Sequence, residues 1–154
     1  MNLDLTGQIA LVTGASRGIG QAIAQELVQC GATVIGTATT DSGANAIGER
    51  LKAHGGSGRV LNVTDPSACD ALIDSIVKEF GRIDILVNNA GAIPGGDVVD
   101  VNEERWRQAW ELKVFGYINL TRVYLPMMQK RGHGVICNII GMAGAAPRHD
   151  YICG

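Results

Sequence analysis

The stretch Ile9-Ala-Leu-Val-Thr-Gly-Ala-Ser-Arg-Gly-Ile-Gly20 decides the fold of this chain. Ile9 to Thr13 is a short apolar run that suits a strand buried on both faces. It passes directly into a turn holding Gly14, Gly18 and Gly20. A helical pattern follows, Gln21 to Cys30, with Ala22, Ile23 and Leu27 apolar and Gly31 as its stop. A glycine-rich turn between strand and helix lets the backbone approach a pyrophosphate closely. The helix N-terminus adds unpaired N–H groups and partial positive charge. The G-x-x-x-G-x-G spacing differs from the commoner G-x-G-x-x-G fingerprint. No Lys follows Gly20, which excludes the G-x-x-x-x-G-K phosphate loop. The competing reading is a purely structural turn; the strand before and the helix after favour phosphate binding.

Working outward, strand and helix signals alternate. Thr33 to Thr37 reads as a second strand. A helix from about Gly43 to His54 closes at Gly55-Gly56, and Arg59 to Asn62 reads as a short third strand. Asp65-Pro66 opens the next helix with an acidic cap and a first-turn proline, and it runs to Phe80 and stops at Gly81. Ile83 to Val87 is the fourth strand. After a loop, Ala92 to Val101, a helical stretch runs from Asn102 to Lys130, with Pro126 expected to kink it or end it early. Val135 to Ile140 is the fifth strand, and residues 141–154 are turn-like. Repeated strand–helix–strand units imply right-handed crossovers and a doubly wound parallel α/β sheet with helices on both faces. Here the sheet is expected to be truncated after the fifth strand. The whole of 1–154 is expected to form one dinucleotide-binding domain, incomplete at its C-terminus.

Composition bounds the function. The chain has 154 residues, 46% hydrophobic and 18% charged, with 21 glycines and a net charge of −2. No basic block marks a nucleic-acid surface, and no apolar run is long enough to span a membrane. The start, MNLDLTGQ, lacks the features of a signal peptide. Cys30, Cys69, Cys137 and Cys153 form no C-x-x-C pair and show no zinc-ligand spacing to His54, His133 or His149. No metal site is expected. The cysteines read as reduced thiols of a cytoplasmic protein.

Thr13 to Gly20, together with Asn88-Asn-Ala-Gly91 after the fourth strand, resembles the short-chain dehydrogenase/reductase family. Residues 1–91 are most similar to bacterial 3-oxoacyl-acyl-carrier-protein reductases, as in VIGTAT (34–39), LNVTDP (61–66) and DILVNNAG (84–91). Residues 92–154, with WELKVFGYINLTR and NIIGMAGAAP, resemble a divergent branch of the superfamily. The resemblance implies a Rossmann-type fold and hydride transfer between a nicotinamide cofactor and a carbonyl or alcohol, with 3-oxoacyl thioesters of fatty acid biosynthesis as the substrate class. It also implies a homo-oligomer for a full-length form.

The end of the second strand, Thr37-Ala-Thr-Thr40, carries no carboxylate before Asp41. A carboxylate there would repel a 2′-phosphate, whereas hydroxyls and Arg17 would accept it, so NADP(H) is favoured over NAD(H). The resemblance assigns the pyrophosphate turn to Gly14, Ala15, Ser16, Arg17, Gly18, Ile19 and Gly20, and the 2′-phosphate contacts to Arg17 and Thr39. It places Asn62 and Val63 on the adenine side and Asn89, Ala90 and Gly91 along the ribose. The competing readings are a solvated charge for Arg17 and a strand-end turn cap for Asn62.

The same resemblance implies a catalytic Tyr, a Lys four residues later that lowers its pKa, a Ser and an Asn. Tyr151 stands in the Tyr position. The Lys would be the residue after Gly154. Counting back thirteen from Tyr151 reaches Asn138, and aligning on Ala143-Gly144 reaches Gly141, so neither register supplies the Ser. The Asn position before Phe115 holds Glu111, which reads better as an exposed helix carboxylate than as a replacement acid. His149 reads as a surface residue. Two functions are therefore expected to compete: an NADP-dependent oxidoreductase, and a non-catalytic nucleotide-binding fragment or degenerate paralogue.

Overall fold

A computed structural model describes residues 3–153. Five parallel strands form one sheet in the order β3-β2-β1-β4-β5. They are β1 (Ile9–Val12), β2 (Thr33–Ala38), β3 (Ser57–Val60), β4 (Ile85–Asn88) and β5 (Val135–Asn138). The helices are α1 (Gly18–Gln29), α2 (Asp41–Leu51), α3 (Pro66–Phe80), α4 (Glu103–Trp110) and α5 (Gly116–Arg131).

The apolar run of β1 is buried at every position. Alternation splits its side chains between two cores. Ile9 and Leu11 point to a rear core with Ile73, Ile76, Leu120, Tyr124 and Met128 of α3 and α5. Ala10 and Val12 point to a front core with Ala24, Ile47 and Leu51 of α1 and α2. Helices therefore cover both faces, as the continuous apolar strand predicts. Thr40, Asp65 and Asn102 cap α2, α3 and α4, each accepting from a first-turn N–H.

Several boundaries differ from the sequence-based expectation. The third strand sits at Ser57–Val60 rather than Arg59–Asn62, with Ile35 paired to Ser57 and Ala38 to Val60. Its small residues admit α2 against the strand: a Cβ on Gly58 would lie 1.8 Å from the Ala44 carbonyl oxygen. Close backbone packing defines this strand, so no apolar run announces it. The helical stretch after Asn102 is not ended by Pro126, which lies inside α5. Leu120, Tyr124 and Met128 anchor α5 in the rear core on both sides of the proline. That packing outweighs the ~3 kcal/mol cost of an interior proline. The break comes earlier, as a π-helical turn at Glu111–Phe115, where Gly116 N donates to Glu111 O. The fifth strand ends at Asn138, two residues short of Ile140.

Candidate nucleotide-binding site

The chain moves outward from β1 to β3, then returns to β4 on the other side of β1. Strand order therefore reverses between β1 and β4, and the loops at their carboxyl ends part to leave a crevice, where ligands of such sheets bind. The glycine turn stands at this crevice.

Residues from two distant segments build the turn. Asn89 N and Ala90 N both donate to Thr13 Oγ1 at 2.9 Å. Asn89 Nδ2 donates to Thr13 O at 2.9 Å and Gly14 O at 3.2 Å. Ala15 N donates to Thr37 O at 2.8 Å. Gly14 and Gly18 have φ of +66° and +58°, conformations that glycine alone adopts without strain. Unlike the next three helices in the chain, α1 has no side-chain cap; its N-cap is Arg17 in extended backbone. Its first-turn N–H groups have no side-chain acceptor, so this end of the helix can receive an anion. An anionic dinucleotide fits this arrangement.

On the β2 side, Thr39, Asn62, Thr64, Glu111 and Leu112 help line a cleft of about 890 Å³. Asn62 Oδ1 accepts from Thr64 N at 3.1 Å and Thr64 Oγ1 at 2.9 Å, so it is a turn cap as well as a cleft residue. Val63 is buried; its carbonyl accepts from Asn119 Nδ2 at 3.1 Å, and Gly116 packs on its side chain. Ser16, Arg17, Gly18 and Ile19 border the crevice at the start of α1, with Arg17 exposed. A second cation, missed in the sequence, stands beside them. The Arg50 guanidinium donates to Ala15 O at 3.4 Å and Ser16 O at 3.2 Å. No local pattern reveals it, because the contact joins residues more than thirty positions apart.

On the β4 side, Gly91 is exposed and carries no side chain to cover the crevice. Lys113 lies against it. Lys113 Nζ donates to Tyr117 OH at 2.5 Å and Ile139 O at 2.6 Å, and Tyr117 OH donates to Ile139 O at 2.8 Å. Burial pushes the Lys113 ammonium below its ordinary pKa. Burial, and then the nearby Cys137, push the Tyr117 phenol up to about 12. Glu111 of the same helical stretch, which stands in the Asn position by resemblance, reads from the sequence as an exposed carboxylate. That side chain is exposed at the opposite end of the crevice.

Tyr151 is held by backbone pairing with Gly96, and its hydroxyl makes no hydrogen bond among the described residues. Asn138 Oδ1 accepts from Asn88 Nδ2 at 2.9 Å, a link between β4 and β5. Gly141 and His149 are exposed.

A family model described as short chain dehydrogenase matches residues 8–153. The chain is 44% identical over 152 residues to the 3-oxoacyl-[acyl-carrier-protein] reductase FabG of Escherichia coli K12, covering 97% of this chain and 62% of that protein. The Vibrio cholerae protein of the same name is 43% identical with the same coverage. A crystal structure of a short-chain dehydrogenase from Streptomyces avermitilis superposes with a TM-score of 0.88 at 36% identity, over 95% of this chain and 54% of that one. The chain thus spans less than two thirds of the length of these relatives. With the family model matched over residues 8–153 and a parallel sheet in the structure, the chain belongs to the short-chain dehydrogenase family.

Proposed function

We propose that this chain binds NADP(H) in the β1/β4 crevice, as the cofactor-holding part of an oxidoreductase that transfers hydride between nicotinamide and a carbonyl or alcohol. The uncapped N-terminus of α1, closed against Asn89 by Gly14 and Gly20, carries the reading. Gly14, Ala15, Ser16, Arg17, Gly18, Ile19 and Gly20 would hold the pyrophosphate. Arg17 and Thr39 would take the 2′-phosphate, Asn62 and Val63 the adenine side. Asn89 offers its oxygens only, since its backbone and amide nitrogens are committed to the turn; Ala90 and Gly91 would border the ribose. The cofactor supplies the hydride, and the chain orients it. The relatives named as 3-oxoacyl-[acyl-carrier-protein] reductases support a 3-oxoacyl thioester as the substrate class; a homo-oligomer in the cytoplasm is the setting that the family resemblance implies.

Calorimetry with NADPH and NADH tests the cofactor. A charged hydrogen bond to phosphate is worth on the order of 1.5–3 kcal/mol, so NADPH should bind roughly tenfold or more tightly. Arg17→Ala should erase most of that margin; tighter NADH binding would refute the preference.

The second reading, a nucleotide-binding module without turnover, is favoured by one observation: Tyr151 has no hydroxyl partner among the described residues and lies beside Gly96. NADPH consumption with a short 3-oxoacyl thioester decides between the two. Turnover abolished by Tyr151→Phe supports the oxidoreductase reading for this chain by itself. No turnover despite tight NADPH binding supports the module.

A further inference from the structure

The π-helical turn at Glu111–Phe115 changes the register, and Lys113 packs inward. Such turns within helices occur frequently at functional sites. Two of its ammonium donors are fixed by Tyr117 OH and Ile139 O. The third has no acceptor among the described residues, and no carboxylate pairs with Lys113 there. A half-buried ammonium without a counter-charge lowers stability. Its environment is also specific: a Cβ on Gly91 would lie 2.9 Å from Lys113 Cδ and 3.2 Å from Nζ, so glycine at 91 leaves the lysine its place.

The position of this group points to its partner. With the pyrophosphate on the N-terminus of α1, a dinucleotide extends from the β2/β3 side, past Thr39 and Asn62, to the β4/β5 side. Gly91 and Ile139 follow β4 and β5. The half of the ligand on that side offers ribose hydroxyls and a carboxamide oxygen, acceptors suited to a compact ammonium donor. We propose that Lys113 is a ligand-binding residue whose free N–H donates to an oxygen of the nicotinamide half of the dinucleotide, with Tyr117 and Ile139 O fixing its direction. The inference rests on the dinucleotide reading above.

Calorimetry on the chain with NADPH, and with adenosine 2′,5′-bisphosphate, which lacks the nicotinamide half, tests it. Lys113→Met should weaken NADPH roughly tenfold, as expected for a charged hydrogen bond, and leave the bisphosphate unchanged. The Tm should hold or rise, because an unpaired buried charge is removed. A loss shared equally by both ligands, or unchanged NADPH affinity, would overturn the proposal. Should Lys113→Met fail to fold, Tyr117→Phe serves: it keeps the ammonium but removes one anchor, and a smaller loss confined to NADPH is expected. Equal affinities in that variant would overturn the proposal. If the unsubstituted chain binds neither ligand, the dinucleotide reading fails and this inference with it; a failure in the variants alone leaves that reading standing.

Discussion

Gly20 shows how tightly single residues define the crevice. A Cβ there would lie 2.3 Å from Gly14 O and 2.4 Å from Asn89 Nδ2, so Gly20→Ala must open the turn or expel the Asn89 amide. Overpacking of this kind costs about 1–3 kcal/mol. A Tm several degrees lower by calorimetric scan is expected, with NADPH affinity falling further than stability requires, since the displaced groups form the proposed anion site. Thr39 sets a different property. Thr39→Asp would put a carboxylate at the end of β2, repelling a 2′-phosphate and accepting from ribose hydroxyls instead. Titration of that variant should show NADH bound more tightly than NADPH. Glycine spacing made the turn legible, because each glycine occupies a conformation or contact that other residues cannot. Lys113 was not legible: its inward position comes from an extra residue in one helical turn, which periodicity does not register.

Among the elements, β4 is tied to its neighbours at its amino end by one buried carboxylate. Asp84 is 2% exposed. It accepts from Ile9 N at 2.8 Å and Arg82 Nε at 3.0 Å on one oxygen, and from Arg131 at 2.6 Å on the other. Burial by itself would raise its pKa, but the hydrogen bonds from Arg131, Ile9 and Arg82 outweigh burial and hold it below the usual carboxylate value. The stability it contributes is therefore complete above the unfolded-state pKa of ~4 and is lost as pH falls through the lower folded value. Asp84→Asn removes the charge between two arginines. Both arginines are partly exposed, so the expected cost is about 2–3 kcal/mol rather than the larger penalty of a wholly buried pair. Urea melts at neutral pH should show that loss, and the difference from the unsubstituted chain should shrink in acid. Sequence alone read β4 from its apolar run but included Asp84 as an ordinary strand residue. Its partners come from β1 and the end of α5, and only folding brings them together.

In the whole molecule, β3 and β5 form the two edges of the sheet. Val135 on β5 is 56% exposed, and Phe115 and Ile118 on the helical surface are exposed as well. An unpaired parallel strand with an apolar exposed side offers a template for pairing with another chain. The 154-residue chain is expected to self-associate as its concentration rises, and Val135→Lys to reduce this, as a charge on an edge strand discourages pairing. Light scattering across a dilution series checks both; a monomer at every concentration would remove the edge as a source of association.

The sequence by itself determined the alternation of strands and helices, the parallel sheet covered on both faces, and the place of the glycine turn. These follow from local rules: strands buried on both faces are apolar throughout, and tight turns at strand ends demand glycine. Family membership was legible for the same reason, since the turn from Thr13 to Gly20 and the segment Asn88 to Gly91 are each contiguous. Tertiary structure alone decided the rest. It matched Asn89 to the turn, laid Arg50 against Ala15 and Ser16, and left Tyr151 paired with Gly96. It also set Lys113 between Gly91 and Ile139. Each of these contacts joins residues far apart in the chain, and its geometry depends on how helices pack on the sheet, which no window of sequence contains.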